Sequence, residues 1–167
     1  MLLCLFLFVC YFVNAQITNP KIKLTVKADK DSVAVYVAIS SNVKIALPSQ
    51  TIIFPKDLPF PSTGVFTIEK KIKGIYTEQR YMGLMNAYPL LSPLIKVKNA
   101  ESRNIIDHYY NLDVGDYRIK ISVFFSQWNK NIKDQDSEWV EFSVLQKPNY
   151  RVCKFCNDST FNTHTNK

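Results

Sequence analysis

The sequence predicts an all-β fold, an antiparallel sandwich of about seven strands, on three observations. Tyr117, Ile119, Ile121 and Val123 alternate with Asp116, Arg118, Lys120 and Ser122, and Val140, Phe142 and Val144 alternate with Trp139, Glu141 and Ser143. A period of two is that of a strand with one buried face. Similar short runs recur along the 167 residues between polar turns, whereas helical periodicity, heptads and internal repeats do not. No cysteine falls within the expected strands, so the sandwich must stand on packing alone.

Residues 1–13 form an almost unbroken apolar run, and Val13-Asn14-Ala15 before Gln16 has small residues at both ends of an A-x-A-like cleavage site. The run is shorter than the roughly 20 apolar residues that span a bilayer. Residues 1–15 are therefore read as a signal peptide, with export and a mature chain beginning at Gln16. The run has no Lys or Arg ahead of it, and an uncleaved amino-terminal membrane anchor is the alternative.

In residues 22–27, Ile22, Leu24 and Val26 alternate with Lys23, Thr25 and Lys27, an amphipathic strand closed by the turn Asp29-Lys30-Asp31-Ser32. Residues 33–39 are apolar on both faces and should form a central strand. Ser40-Ser41-Asn42 is expected to break it. Val43 then opens a third strand that Pro48 stops or moves to an edge, and residues 51–54 can resume it. Pro55, Pro59 and Pro61 argue for an irregular connection before a strand at 65–72. Residues 74–94 hold Tyr76, Tyr81 and Tyr88 among Gly83, Pro89 and Pro93, and fit no period. The stretch 74–110 is expected to be a long irregular insertion, strand-like only at Ile95 and Val97 and helical for a turn within 101–110. The domain is placed at residues 16–146, followed by a polar tail, 147–167, expected to be flexible.

Leu112, Gly115 and Tyr117 precede the clearest hairpin. A Gly two residues before a Tyr that opens a strand resembles the tyrosine corner of immunoglobulin-like and fibronectin-type sandwiches. Residues 112–145 resemble the last hairpin of such domains, and residues 22–54 are compatible with their opening strands. The whole is similar to uncharacterised small exported proteins of Gram-negative bacteria. The resemblance implies an immunoglobulin-like sandwich with Tyr117 buried at a structural corner. The chain departs from it in lacking a core disulfide and in the length of 74–110, where a specific function would be grafted. Such a fold does not by itself specify function.

The formal charge is +7, and residues 1–15 carry none of it. An excess of this size favours anionic partners. The lysines are dispersed, however, on outward strand positions such as Lys21, Lys23 and Lys27, where they protect edges and keep the chain soluble. Export argues against nucleic acid as a partner.

Candidate chemistry is sparse. Cys153-Lys154-Phe155-Cys156 lies in the tail, and with only His108 and His164 in the chain it makes at best half of a zinc site. In an exported protein the pair reads as a disulfide, local or to another chain. Histidine supply and the absence of a Gly-x-Ser-x-Gly elbow leave no nucleophile–base pair to nominate, so no catalytic, cofactor-binding or metal residue is expected. Asp134-Gln135-Asp136 with Glu138 reads either as a calcium loop or as a solvated hairpin turn. The aromatic residues Tyr76, Tyr81, Tyr88 and Trp128 read either as a contact surface or as padding of a glycine-poor core. The leading expectation is a non-catalytic binding or structural module at the cell envelope, with a protein or glycan partner at the cell surface. The alternative is an accessory protein or inhibitor that engages another exported protein by strand addition or loop contacts.

Overall fold

The computed structural model describes residues 19–30, 32–49, 53–55, 62–81 and 93–147. The expectations placed on residues 1–15, on Tyr88 and on Cys153 and Cys156 lie outside the described residues. The strands are β1 (Lys21–Ala28), β2 (Val33–Pro48), β3 (Ile53–Pro55), β4 (Gly64–Ile72), β5 (Ile75–Glu78), β6 (Leu94–Ile105), β7 (Gly115–Val123), β8 (Gln135–Asp136) and β9 (Val140–Val144). One helical turn, α1 (Asp107–Tyr110), precedes β7. The architecture is all-β, with two sheets.

One sheet has the order β1–β2–β6, antiparallel throughout. In the other, β4 and β7 are central. β5 and the short parallel strand β3 flank β4, and β8 and β9 follow one another along the far side of β7. The inward residues of both sheets make one core: Leu24, Val35, Val37 and Ile39 from the first, Phe66, Ile68, Ile119 and Ile121 from the second. The alternation in the sequence is the alternation in burial, with Tyr117, Ile119, Ile121 and Val123 all buried and their neighbours not.

Four local expectations are corrected. Ser40-Ser41-Asn42 does not break the second strand. β2 runs on to Pro48, and Ser41 to Lys44 bulge out opposite the single residue Lys98 of β6. The partner strand spans both halves, so pairing overrides the local turn signal. Residues 53–55 do not resume that strand but join the other sheet beside β4. Residues 101–105 are strand, because β2 offers a continuous antiparallel partner, and only Asp107–Tyr110 is helical. The stretch 74–110 contains two of the domain's strands, β5 and β6. β5 folds back on β4 through Lys73 and Gly74, both at positive φ (49° and 86°), the requirement of a two-residue hairpin turn.

The crossing from β6 to β7 is closed by side chains. Asp107 Oδ1 accepts from Val33 N–H (3.0 Å), Asn111 takes a left-handed conformation (φ 43°), and Leu112 is buried. The Tyr117 hydroxyl donates to the Asp113 carbonyl at 2.8 Å, while its ring stacks on Phe142 (centroids 5.4 Å apart). This is the tyrosine-corner geometry expected from Gly115 and Tyr117. Gly115 has φ 151°, and a Cβ there would come within 2.8 Å of Lys70 Cε. Opposite this corner the bulged β2 is held by Asn129, whose side-chain amide accepts from Ala46 N–H and donates to Ala46 C=O, both at 2.9 Å.

Tyr117→Phe should destabilise the protein by about 1–2 kcal/mol, one buried hydrogen bond and its stranded acceptor. Burial also raises the Tyr117 phenol above its ordinary 10.0. The folded state keeps a proton that the unfolded state releases, so stability should fall as pH rises above 10.0. Urea titrations between pH 8 and 11 should show a smaller loss across that interval in the Phe variant than in the wild type.

Candidate functional site

The outer face of the β5–β4–β7–β9 sheet is a ladder of charges and rings. Pairing puts Arg118 between Glu69 on β4 and Glu141 on β9. Arg118 Nε donates to Glu69 Oε2 at 2.6 Å. Its guanidinium carbon lies 4.0 Å from the Tyr76 ring centroid and 4.3 Å from that of Trp139, so one cation is stacked against two aromatic rings. Tyr76 reaches from β5 across the sheet, and its hydroxyl donates to Glu141 Oε1 at 2.8 Å. That bond to a carboxylate pushes the Tyr76 phenol above its ordinary value. Further along β7, Lys120 lies 5.3 Å from Trp139 and pairs with Asp136 at 2.9 Å. Hydrogen bonding to Ser122 and to Lys120 holds the Asp136 carboxyl below its ordinary value.

The second feature is a groove of about 540 Å³ at the open side of the sandwich. Asn19 to Leu24 line one wall and Gln135 to Val140 the other. Both walls are sheet edges. Among the described residues β1 pairs only with β2, so every second residue points its N–H and C=O away from that partner. On the other wall, Ser137, Glu138 and Trp139 separate β8 from β9. Ser137 hydrogen-bonds the interruption to β7, donating N–H to Ile121 C=O (2.8 Å) and accepting Ile121 N–H on Oγ (3.0 Å), while Trp139 packs on Arg118 and Lys120. Beside this groove Gln135 Nε2 is buried without an acceptor.

The chain matches no known family model, curated protein or solved structure.

Of the aromatic residues singled out in the sequence, Tyr76, Tyr81 and Trp128 are not brought together. Tyr76 is in the ladder, with its ring face against Arg118. Tyr81 packs edge-on against Tyr110 (5.8 Å, 64°) and, like Trp128, against the core. Leu112, Gly115 and Tyr117 form the corner. In the 134–138 turn, Asp134 Oδ1 accepts Ser126 N–H at 2.8 Å and Asp136 binds Lys120. Among the described residues no three His, Cys, Asp or Glu side chains stand together as a metal site.

The sequence marks neither Arg118, Glu69 nor Glu141 as a candidate, and it marks Gln135, Asp136 and Glu138 of the groove wall only as a calcium loop or a hairpin turn. The signal of the first three is cross-strand: opposite charges directly facing in register. Reading it needs the pairing of β7 with β4 and with β9, and only the place of Tyr76 follows from the β4–β5 hairpin that Lys73-Gly74 encodes.

Arg118→Lys keeps the charge but loses the planar group stacked on Tyr76 and Trp139, and should cost about 1 kcal/mol of stability. In a double-mutant cycle, Arg118→Ala and Trp139→Ala should couple by about 0.5–1 kcal/mol, measured by chemical denaturation.

Proposed function

We propose that the protein is an exported, non-catalytic binding module of the cell envelope that takes an extended segment of a partner protein into the groove between β1 and β8–β9. The observation that carries this reading is that both walls of the groove are sheet edges. An inserted strand could pair with the free backbone of one edge, and side-chain pockets would then select its sequence. The exposed lysines of β1 border the entrance and favour a segment with acidic residues.

A fibronectin-type, immunoglobulin-like domain is the finer assignment we propose for the fold. Its support is the order β1–β2–β6 against β5–β4–β7–β9, together with the tyrosine corner at the β6–β7 crossing. Export rests on the apolar run of residues 1–13 and the Val13-Asn14-Ala15 motif. Stacking of a glycan on the outer sheet face has less support, because Tyr76 and Trp139 each lay a ring face on Arg118.

Nonapeptides selected from a random library on the immobilised protein should protect amides within 21–24 and 137–140 from hydrogen exchange when they bind. A library that yields no binder, or binders that leave both edges exchanging at the free rate, would remove strand addition as the mode of recognition.

A further inference from the structure

The end of the sandwich opposite the groove carries an exposed apolar row. Lys70 pairs with Tyr117, so two residues further on Ile72 comes level with Gly115, which in turn pairs with Val144. Ile72 faces Ile75 at this level, and one rung further on Val114 and Leu145 flank the ends of β7 and β9. Ile75 at the start of β5 is 71% exposed, Ile72 at the end of β4 48%, Val114 just before β7 56%, and Leu145 just after β9 88%. With strands about 4.8 Å apart, the row is roughly 14 Å long. Water-exposed Ile, Leu and Val gathered at one rim are not needed by the core, which is filled from the inward faces.

Lysines border the row. Lys70, Lys71 and Lys73 sit in the β4–β5 hairpin, and no acidic residue lies between Lys70 and Thr77. The nearest carboxylates at this rim are engaged elsewhere: Asp113 with Lys147 (2.9 Å) and Asp116 with the Ser143 hydroxyl (2.7 Å). Four apolar side chains on a convex rim are far short of the roughly 800 Å² per partner that a stable protein interface covers. They suit a boundary that is apolar inside and anionic at its surface, where lysine stems lie along the apolar layer and their ammonium groups stay among the headgroups.

We propose that this rim docks on an anionic lipid surface, with Ile72 and Ile75 at the hairpin tip entering the headgroup–acyl boundary and Lys71 and Lys73 held by lipid phosphates. The site is separate from the groove, whose wall runs from Val140, about 14 Å from Gly115 along β7, to Gln135, about 27 Å from it, so either can fail without the other.

The test is sedimentation of the protein with vesicles of phosphatidylglycerol and phosphatidylcholine in a 1:3 ratio. Ile72→Ser/Ile75→Ser should reduce the bound fraction at least tenfold, and Lys71→Gln and Lys73→Gln should each weaken binding about fivefold. Because these variants are compared within the same chain, any contribution of residues 1–15 cancels. All four side chains are exposed, so thermal unfolding should remain that of the wild type. In Ile75→Trp, lipids brominated near the headgroup should quench fluorescence, which a purely electrostatic contact would not produce. Equal vesicle binding by the wild type and the Ile72→Ser/Ile75→Ser variant overturns the proposal. If in addition the wild type self-associates and that variant does not, the rim belongs to a second copy of the chain.

Discussion

The hydrogen bond from Tyr117 to the Asp113 carbonyl fixes the point at which the chain changes sheets. β6 belongs to the three-stranded sheet and β7 to the other, and the residues between them must turn, cross the core and start β7 in one register. Side-chain direction alternates with a period of two, so a slip of one residue would turn Ile119, Ile121 and Val123 to solvent and Arg118 and Lys120 inward. The corner removes that freedom. Its ring is also the last inward layer of the sheet, stacked on Phe142 of β9, so the same residue sets the register of β7 and positions the strand that follows. Because β4 pairs with β7 over seven consecutive residues, the position of the β4–β5 hairpin depends on the corner as well.

What could be read from the sequence followed how local each signal was. The inward rows of β1, β4, β7 and β9, the centrality of β2 and the corner itself rest on alternation or on closely spaced residues, and all appear in the structure. The misreadings arose where a partner strand decides. Ser40-Ser41-Asn42 reads as a terminator, but β6 continues past it and the extra residues are absorbed as a bulge. Residues 101–105 have no strong strand character, yet β2 supplies a ladder. β5 was hidden because four residues cannot display a period, although Lys73-Gly74 marked the turn that forms it.

The outer-face ladder shows how a high aromatic and cationic content can be structural. Tyr76 and Trp139 would look like a contact surface if they stood alone on the sheet. With Arg118 between them, and with Glu69 and Glu141 on either side, the cluster satisfies its own charges and ties four strands together. The excess of lysine over acid in the whole chain is therefore expressed elsewhere, at the β1 edge and at the β4–β5 hairpin, where lysines stand without facing carboxylates in their own element.

Those two places lie at opposite ends of the sandwich, and the geometry gives the separation a consequence. The strands run from one to the other, so a rim seated on lipid would hold the groove away from it, its wall spanning about 14 to 27 Å from the surface along β7. An extended segment could then approach the β1 and β8–β9 edges without entering the headgroup layer. The rigid core between the ends argues against mechanical coupling, since its residues are packed as one cluster and no hinge separates the sheets among the described residues. Occupancy of the groove and occupancy of the rim would thus combine through concentration at the surface rather than through a change of shape.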